Sequence, residues 1–170
     1  MSRMYQVGDL VIYGGSGVCQ IKDIGAPGGS RAEQEKQYYT LAPVYGTEVI
    51  FVPVDTKVYM RPVLSRDEAE KFIRQIPSIE EAKINAGSLQ LVSRQYQESL
   101  QSHECCDLVG LIKTIHRKDS QARKLGRKPG KIEEKYRKRA EDLLYGELSV
   151  ALGIPRDNVG QYIDTTLTEV

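Results

Sequence analysis

Residues 131–155, KIEEKYRKRAEDLLYGELSVALGIP, decide how the second half of the chain folds. Tyr136, Ala140, Leu143, Leu144, Leu148 and Ala151 recur at three- and four-residue steps and so fall on one helical face, with Lys135, Arg137, Lys138 and Arg139 mostly off it. Gly153 stands where a left-handed terminating residue is wanted, and Pro155 cannot continue a helix, so the spacing predicts an end near Leu152. The cations crowd the start of this helix, where its dipole is positive, at a cost of roughly a few tenths of a kcal/mol each. That placement points to a polyanionic partner rather than to stability alone.

Working back from this helix, everything after residue 64 reads as helical. Ser65-Arg66-Asp67-Glu68 has the S-x-x-E form of a capping box, and Ala69, Phe72, Ile73 and Ile76 follow at helical spacing up to Pro77. Residues 78–87 fit either a short helical turn or a loop. Ser88 caps a predicted helix over 89–100 with Leu89, Val92, Tyr96 and Leu100 in register as its inward stripe. Another runs from 104 to about 124 on Leu108, Leu111, Ile112 and Ile115, with His103 at its start. The turn GRKPG (126–130) joins it to the opening helix, and residues 156–167 form a short terminal helix through Val159, Tyr162 and Ile163.

Residues 4–64 read as strands instead. A Gly8-Asp9 turn precedes the run Leu10-Val11-Ile12-Tyr13, and GGSG (14–17) turns the chain into an alternating segment around Val18 and Ile21. A polar loop at 26–36 leads to strand character again at 37–41, and Gly46 marks a turn into a strand at 48–54. About five short strands in this length make a small, strongly bent sheet of the SH3-like or Tudor-like kind. Pro53 cannot donate to a ladder, so the 49–54 strand is expected at an edge or strand end, open to pairing with another protein's sheet or with a second copy of this chain. The expected architecture is α+β, with a β domain at 1–63 and an all-α domain at 64–170.

The net charge of +1 conceals a sharp separation. Residues 1–63 carry six basic and six acidic side chains, whereas residues 113–139 carry twelve basic and three acidic, a net of +9. That short segment holds half of all the lysine and arginine in the chain. Lys113, Arg117, Lys118, Arg123, Lys124, Arg127, Lys128, Lys131, Lys135, Arg137, Lys138 and Arg139 fall on one helical hairpin, and such a patch suits nucleic-acid phosphates. No apolar run is long enough to span a membrane, and MSRMYQVGDL lacks a signal-peptide core, which leads to an expected cytoplasmic, nucleoid-associated location. Three cysteines, two adjacent (Cys105 and Cys106), suit reduced, partly buried thiols rather than a disulfide framework.

Catalytic signatures do not emerge. GGSG has neither a lysine nor a helix behind it and reads as a strand turn, not a phosphate cradle. His103 and His116 have no partners at metal-ligand spacing, and the adjacent pairs Glu80-Glu81 and Glu133-Glu134 diverge on a helix. No catalytic residue, metal or cofactor is expected.

In order and spacing, these parts resemble the CarD/CdnL family of bacterial transcription regulators. The likeness rests on MYQVGDLVIYGGSGVCQI, where V-G-D-x-V-x-Y precedes a glycine turn, on VPVD after the last strands, and on EEKYRKRAEDLLYGELSVALGIP. It spans nearly the whole chain, and the N-terminal module is similar to one in a transcription-repair coupling factor. The resemblance implies a Tudor-like module that binds the β subunit of RNA polymerase by edge-strand pairing, at Val49, Ile50, Phe51, Val52 and Pro53. It also implies a helical domain that lies on promoter DNA without base readout and modulates the open complex. There a contact of about 1.4 kcal/mol made only with the open state shifts the equilibrium tenfold toward it.

The DNA-facing residues implied are Leu91, Arg94, Arg117, Lys118, Arg123, Lys124, Arg127, Lys128, Lys131, Lys135, Lys138 and Arg139. Relatives wedge the melted edge with a tryptophan, but this chain has none; Ser93-Arg94-Gln95-Tyr96 aligns Val92 with that position, and Leu91 is its exposed apolar neighbour. Relatives also carry an arginine where Phe51 stands. Two rival readings are a general nucleic-acid-binding protein whose sheet module does not touch polymerase, and an adaptor that binds no nucleic acid.

Overall fold

Leu10–Tyr13 (β1) turns through a 3-10 segment at Gly14–Ser16 into Gly17–Gly25 (β2), and the two pair antiparallel from Tyr13 opposite Gly17 to Leu10 opposite Gln20. Tyr38–Pro43 (β3), Ile50–Pro53 (β4) and Met60–Pro62 (β5) complete a five-stranded antiparallel sheet in the order β4-β3-β2-β1-β5. The computed structural model describes residues 5–25, 37–84, 87–102 and 104–168, so the expected loop at 26–36 and the role given to His103 lie outside the described residues. The chain divides into two compact units, Met1–Val63 and Leu64–Val170.

One face of the sheet carries a core of Val11, Cys19, Ile21, Tyr39, Leu41 and Val52, each essentially inaccessible. Period-two alternation accounts for it, since Cys19 and Ile21 on β2 and Tyr39 and Leu41 on β3 share one face. A bulge at Lys22, where the register shifts between Ile21 and Asp23, breaks the ladder and bends β2. Tyr5 donates its backbone N–H to the Tyr39 hydroxyl at 3.1 Å and packs its ring edge-on against Tyr39, closing one end of the core. Burial pushes the Cys19 thiol up to about 11, with the Glu48 carboxylate adding to the effect.

The helical unit comprises Arg66–Gln75 (α1), Leu89–Gln101 (α2), Cys105–Lys124 (α3), Lys131–Leu152 (α4) and Val159–Thr168 (α5). The expected α+β class is the one observed. Ser65 forms both halves of a capping box with Glu68. The α4 helix ends on Gly153 at φ 70°, where the N–H groups of Gly153 and Ile154 both reach the Ser149 carbonyl. No helix among the described residues is long and apolar enough to cross a membrane.

Two features depart from the sequence reading, and a segment it left open takes one of its two expected forms. The fourth strand is Ile50–Pro53, shorter than the expected 48–54, because its ladder with β3 runs only from Leu41 opposite Ile50 to Tyr38 opposite Pro53. Leu89 does not join the inward stripe of α2 but is 66% exposed in its first turn. Segment 79–84, left between turn and loop, is irregular yet pinned to α3: Ala82 N–H donates to Gly110 O and Thr114 Oγ1 donates to Ala82 O. Gly110 makes that approach feasible, since a Cβ there would stand 3.0 Å from Glu80 O.

Glu147, on the buried face of α4, is only 2% exposed. Its Oε2 accepts the Leu64 N–H at 3.0 Å and its Oε1 accepts the Cys105 thiol at 3.2 Å. Replacing Glu147 by Leu leaves these buried donors unpaired and should lower unfolding free energy by about 1–3 kcal/mol in urea titrations. Thiol labelling of the native protein should modify the exposed Cys106 quickly and the buried Cys19 and Cys105 only on unfolding, as peptide mass mapping would reveal.

Candidate functional site

Two surfaces, one on each unit, collect the residues singled out by sequence. On the sheet, β4 is an outermost strand, hydrogen-bonded to β3 on one side. Its side chains alternate: Val52 turns into the core at 1% exposure, while Phe51 stands out at 54% beside Val49 at 59%. Ile50 and Pro53 are partly buried. Val52 therefore lends a partner no side chain, whereas Val49 and Phe51 offer apolar side chains at a sheet edge.

On the helical unit, α3 and α4 are joined by the turn around Gly126, whose φ of 74° reverses the chain after α3. The cations expected to share one surface split into two groups. Lys113 is fixed in the fold, its Nζ donating to the carbonyls of Ile76 and Ile79 at 2.6 Å each, which caps the end of α1. Arg117 Nε pairs with Glu81 at 2.6 Å, and Arg137 is partly buried with its Nε out of hydrogen-bond reach. Lys118 donates to the Tyr96 hydroxyl at 2.8 Å and lies 5.2 Å from that ring's centroid.

The Tyr96 hydroxyl in turn donates to Glu133 Oε2 at 2.9 Å, so one network ties α2, α3 and α4 together. Burial, reinforced by the Glu133 carboxylate, holds that hydroxyl protonated well above the ordinary tyrosine range. The remaining cations, Arg123, Lys124, Arg127, Lys128, Lys131, Lys135, Lys138 and Arg139, are exposed. They occupy the end of α3, the turn and the start of α4. Glu133 and Glu134 sit in the first turn of α4 and offset part of the unfavourable cation–dipole placement expected there.

Arg94 and Leu91 are exposed on α2, and Val92 packs against the helical core. Leu91 folds back over Gly87, where an added Cβ would stand 2.8 Å from Leu91 Cδ2. Sequence reasoning missed the fixed roles of Lys113 and Lys118, because a lysine bound to a carbonyl or a tyrosine reads like any other cation. Tyr96 and Tyr136, assigned to two separate helical stripes, pack with their ring centroids 5.4 Å apart, a contact that neither stripe announced.

Tyr96→Phe should destabilise the protein by about 0.5–1.5 kcal/mol, since the Lys118 and Glu133 partners lose their shared hydroxyl. Lys124→Gln and Lys128→Gln should each stay within about 0.5 kcal/mol of the parent in the same denaturation experiment.

Residues 5–64 match the family model of the CarD-like/TRCF RID domain, a match that covers the five-stranded unit and stops where the helical unit begins. Among curated proteins, none matches the chain.

Proposed function

We propose, starting from an N-terminal module that is a CarD-like RNA polymerase-interacting domain, that this chain is a transcription regulator bridging polymerase and promoter DNA. The sheet module takes a strand of the polymerase β subunit along β4, with backbone pairing supplying affinity and Val49 and Phe51 supplying side-chain contacts. The exposed cations at the end of α3, in the turn and at the start of α4 lie on DNA phosphates without reading base sequence. Such a bridge favours whichever promoter state presents both surfaces together, and so modulates the open complex.

The observation that carries this reading is the position of β4. A domain matched to a polymerase-interacting family ends its sheet on a strand whose outward side chains are apolar and exposed. The segregated +9 charge of residues 113–139 supports the DNA contact. Arg117 and Lys118 contribute less than their charge suggests, because Glu81 and Tyr96 already engage them.

In the full-length protein, Val49→Pro or Phe51→Glu should abolish capture of a β-subunit fragment while leaving duplex affinity unchanged. Reversal of Arg123, Lys124, Arg127 and Lys128 to Glu should do the opposite, weakening binding equally across unrelated duplexes. Duplex affinity of the parent should fall with salt at a slope of about −0.9 per phosphate contact. Loss of both activities in either variant, or a marked sequence preference in the parent, would contradict the reading.

A further inference from the structure

Which backbone groups β4 turns outward follows from its ladder. The Val54 N–H donates to the Gln37 carbonyl at 3.1 Å, and in the same register Val52 opposes Tyr39 and Ile50 opposes Leu41. Residues that exchange hydrogen bonds in an antiparallel pair alternate with residues that do not. Ile50 and Val52 therefore aim their N–H and C=O groups at β3, and Phe51 aims both of its groups away from the sheet. Pro53 shares that outward phase, so its missing N–H falls on the open side, where it costs the ladder with β3 nothing. Among the described residues, no strand covers this side of β4. Val49 and Phe51 are exposed, and from Val49 to Val54 no side chain is charged. Residues 1–63 balance six basic against six acidic groups.

We propose that β4 pairs antiparallel with β4 of a second copy about a two-fold axis at Phe51, and that this pairing withholds the strand from polymerase. With the axis there, Phe51 exchanges both backbone hydrogen bonds with the copy's Phe51, and the Val49 N–H of each chain reaches the Pro53 carbonyl of the other. The two Phe51 rings lie side by side on the outer face as a cross-strand aromatic pair, and Ile50 of each chain faces Val52 of the other. Other registers fare worse. An axis at Ile50 or Val52 brings together groups that β3 already occupies, and one at Pro53 opposes two residues without donors. Electrostatics suit a copy as the occupant, because an uncharged strand that meets itself sets no like charges across the axis. The strand spans only four residues, so the interface is small and the dimer dissociates on dilution. Polymerase and the copy require the same Phe51 groups, which makes the dimer a reserve that yields docking-competent monomer as monomer is consumed. The occlusion rests on the β4 docking proposed above, whereas the pairing does not.

Sedimentation of the full chain from micromolar to millimolar concentration tests the pairing. The parent should show a reversible equilibrium between monomer and dimer that survives high salt, unlike an association of the cationic hairpin with an acidic surface. Phe51 is exposed, so Phe51→Arg and Phe51→Glu leave the core intact while setting like charges across the axis. Each variant should sediment as a monomer at every concentration, and at lower salt an equal mixture of the two should restore the dimer. Added β-subunit fragment should convert parent dimers into one-to-one complexes. A parent that stays monomeric throughout yet captures the fragment overturns the inference and leaves the docking standing. A dimer that both variants retain, or that mixing fails to restore, overturns the axis at Phe51. A species containing two chains and a β fragment overturns the occlusion. Dimers that form while the fragment is captured at no dilution remove the docking and the occlusion together.

Discussion

Among the described residues, the strand Ile50–Pro53 has a neighbour on one side only, and that constraint governs what the sheet module can do. A free edge presents N–H and C=O groups that water or another chain must satisfy. Its register is fixed from within, because Val52 opposes Tyr39 in the core and Ile50 opposes Leu41. A slip of one residue would expose Val52 and bury Phe51, so the outward position of Phe51 is as well determined as the core itself. Pro53 removes one donor near the end of the edge, which keeps the available ladder short and leaves specificity to the exposed Val49 and Phe51.

In the helical unit, positive charge has two employments. Lys113, Arg117 and Lys118 along the middle of α3 are engaged with carbonyls, a carboxylate and a phenol, and they fasten α1, the 79–84 segment and α2 to α3. From Arg123 to Arg139 the exposed cations are crowded, and their mutual repulsion is relieved by anything polyanionic. The Lys118–Tyr96–Glu133 network lies under this surface, so the cations are presented on a braced hairpin. A braced array loses less entropy on meeting a regular line of phosphates than a flexible tail would.

Signals that act over a few residues were legible in the sequence. The Ser65 capping box, the Gly153 stop and the edge placement enforced by Pro53 each follow from local backbone chemistry, and each has the expected form. Leu89 was misread because a helical stripe continues on paper into a first turn that the rest of the unit leaves largely uncovered. Glu147 and Gly110 were not legible at all. Their roles depend on a backbone N–H, a thiol and a loop carbonyl brought close by tertiary packing, and no spacing rule reports that. The same holds for the candidate surfaces: the run 113–139 announced positive charge, but the engagement of Lys118 and Arg117 depended on where Tyr96 and Glu81 came to lie.

The proposed bridge requires that both surfaces be occupied at once on a single copy of the chain. Sedimentation of the full-length protein with a polymerase β-subunit fragment and a short duplex tests this most directly. The account predicts one species whose mass contains a copy of each component. Separate binary complexes, with the β fragment and the duplex displacing each other, would contradict it.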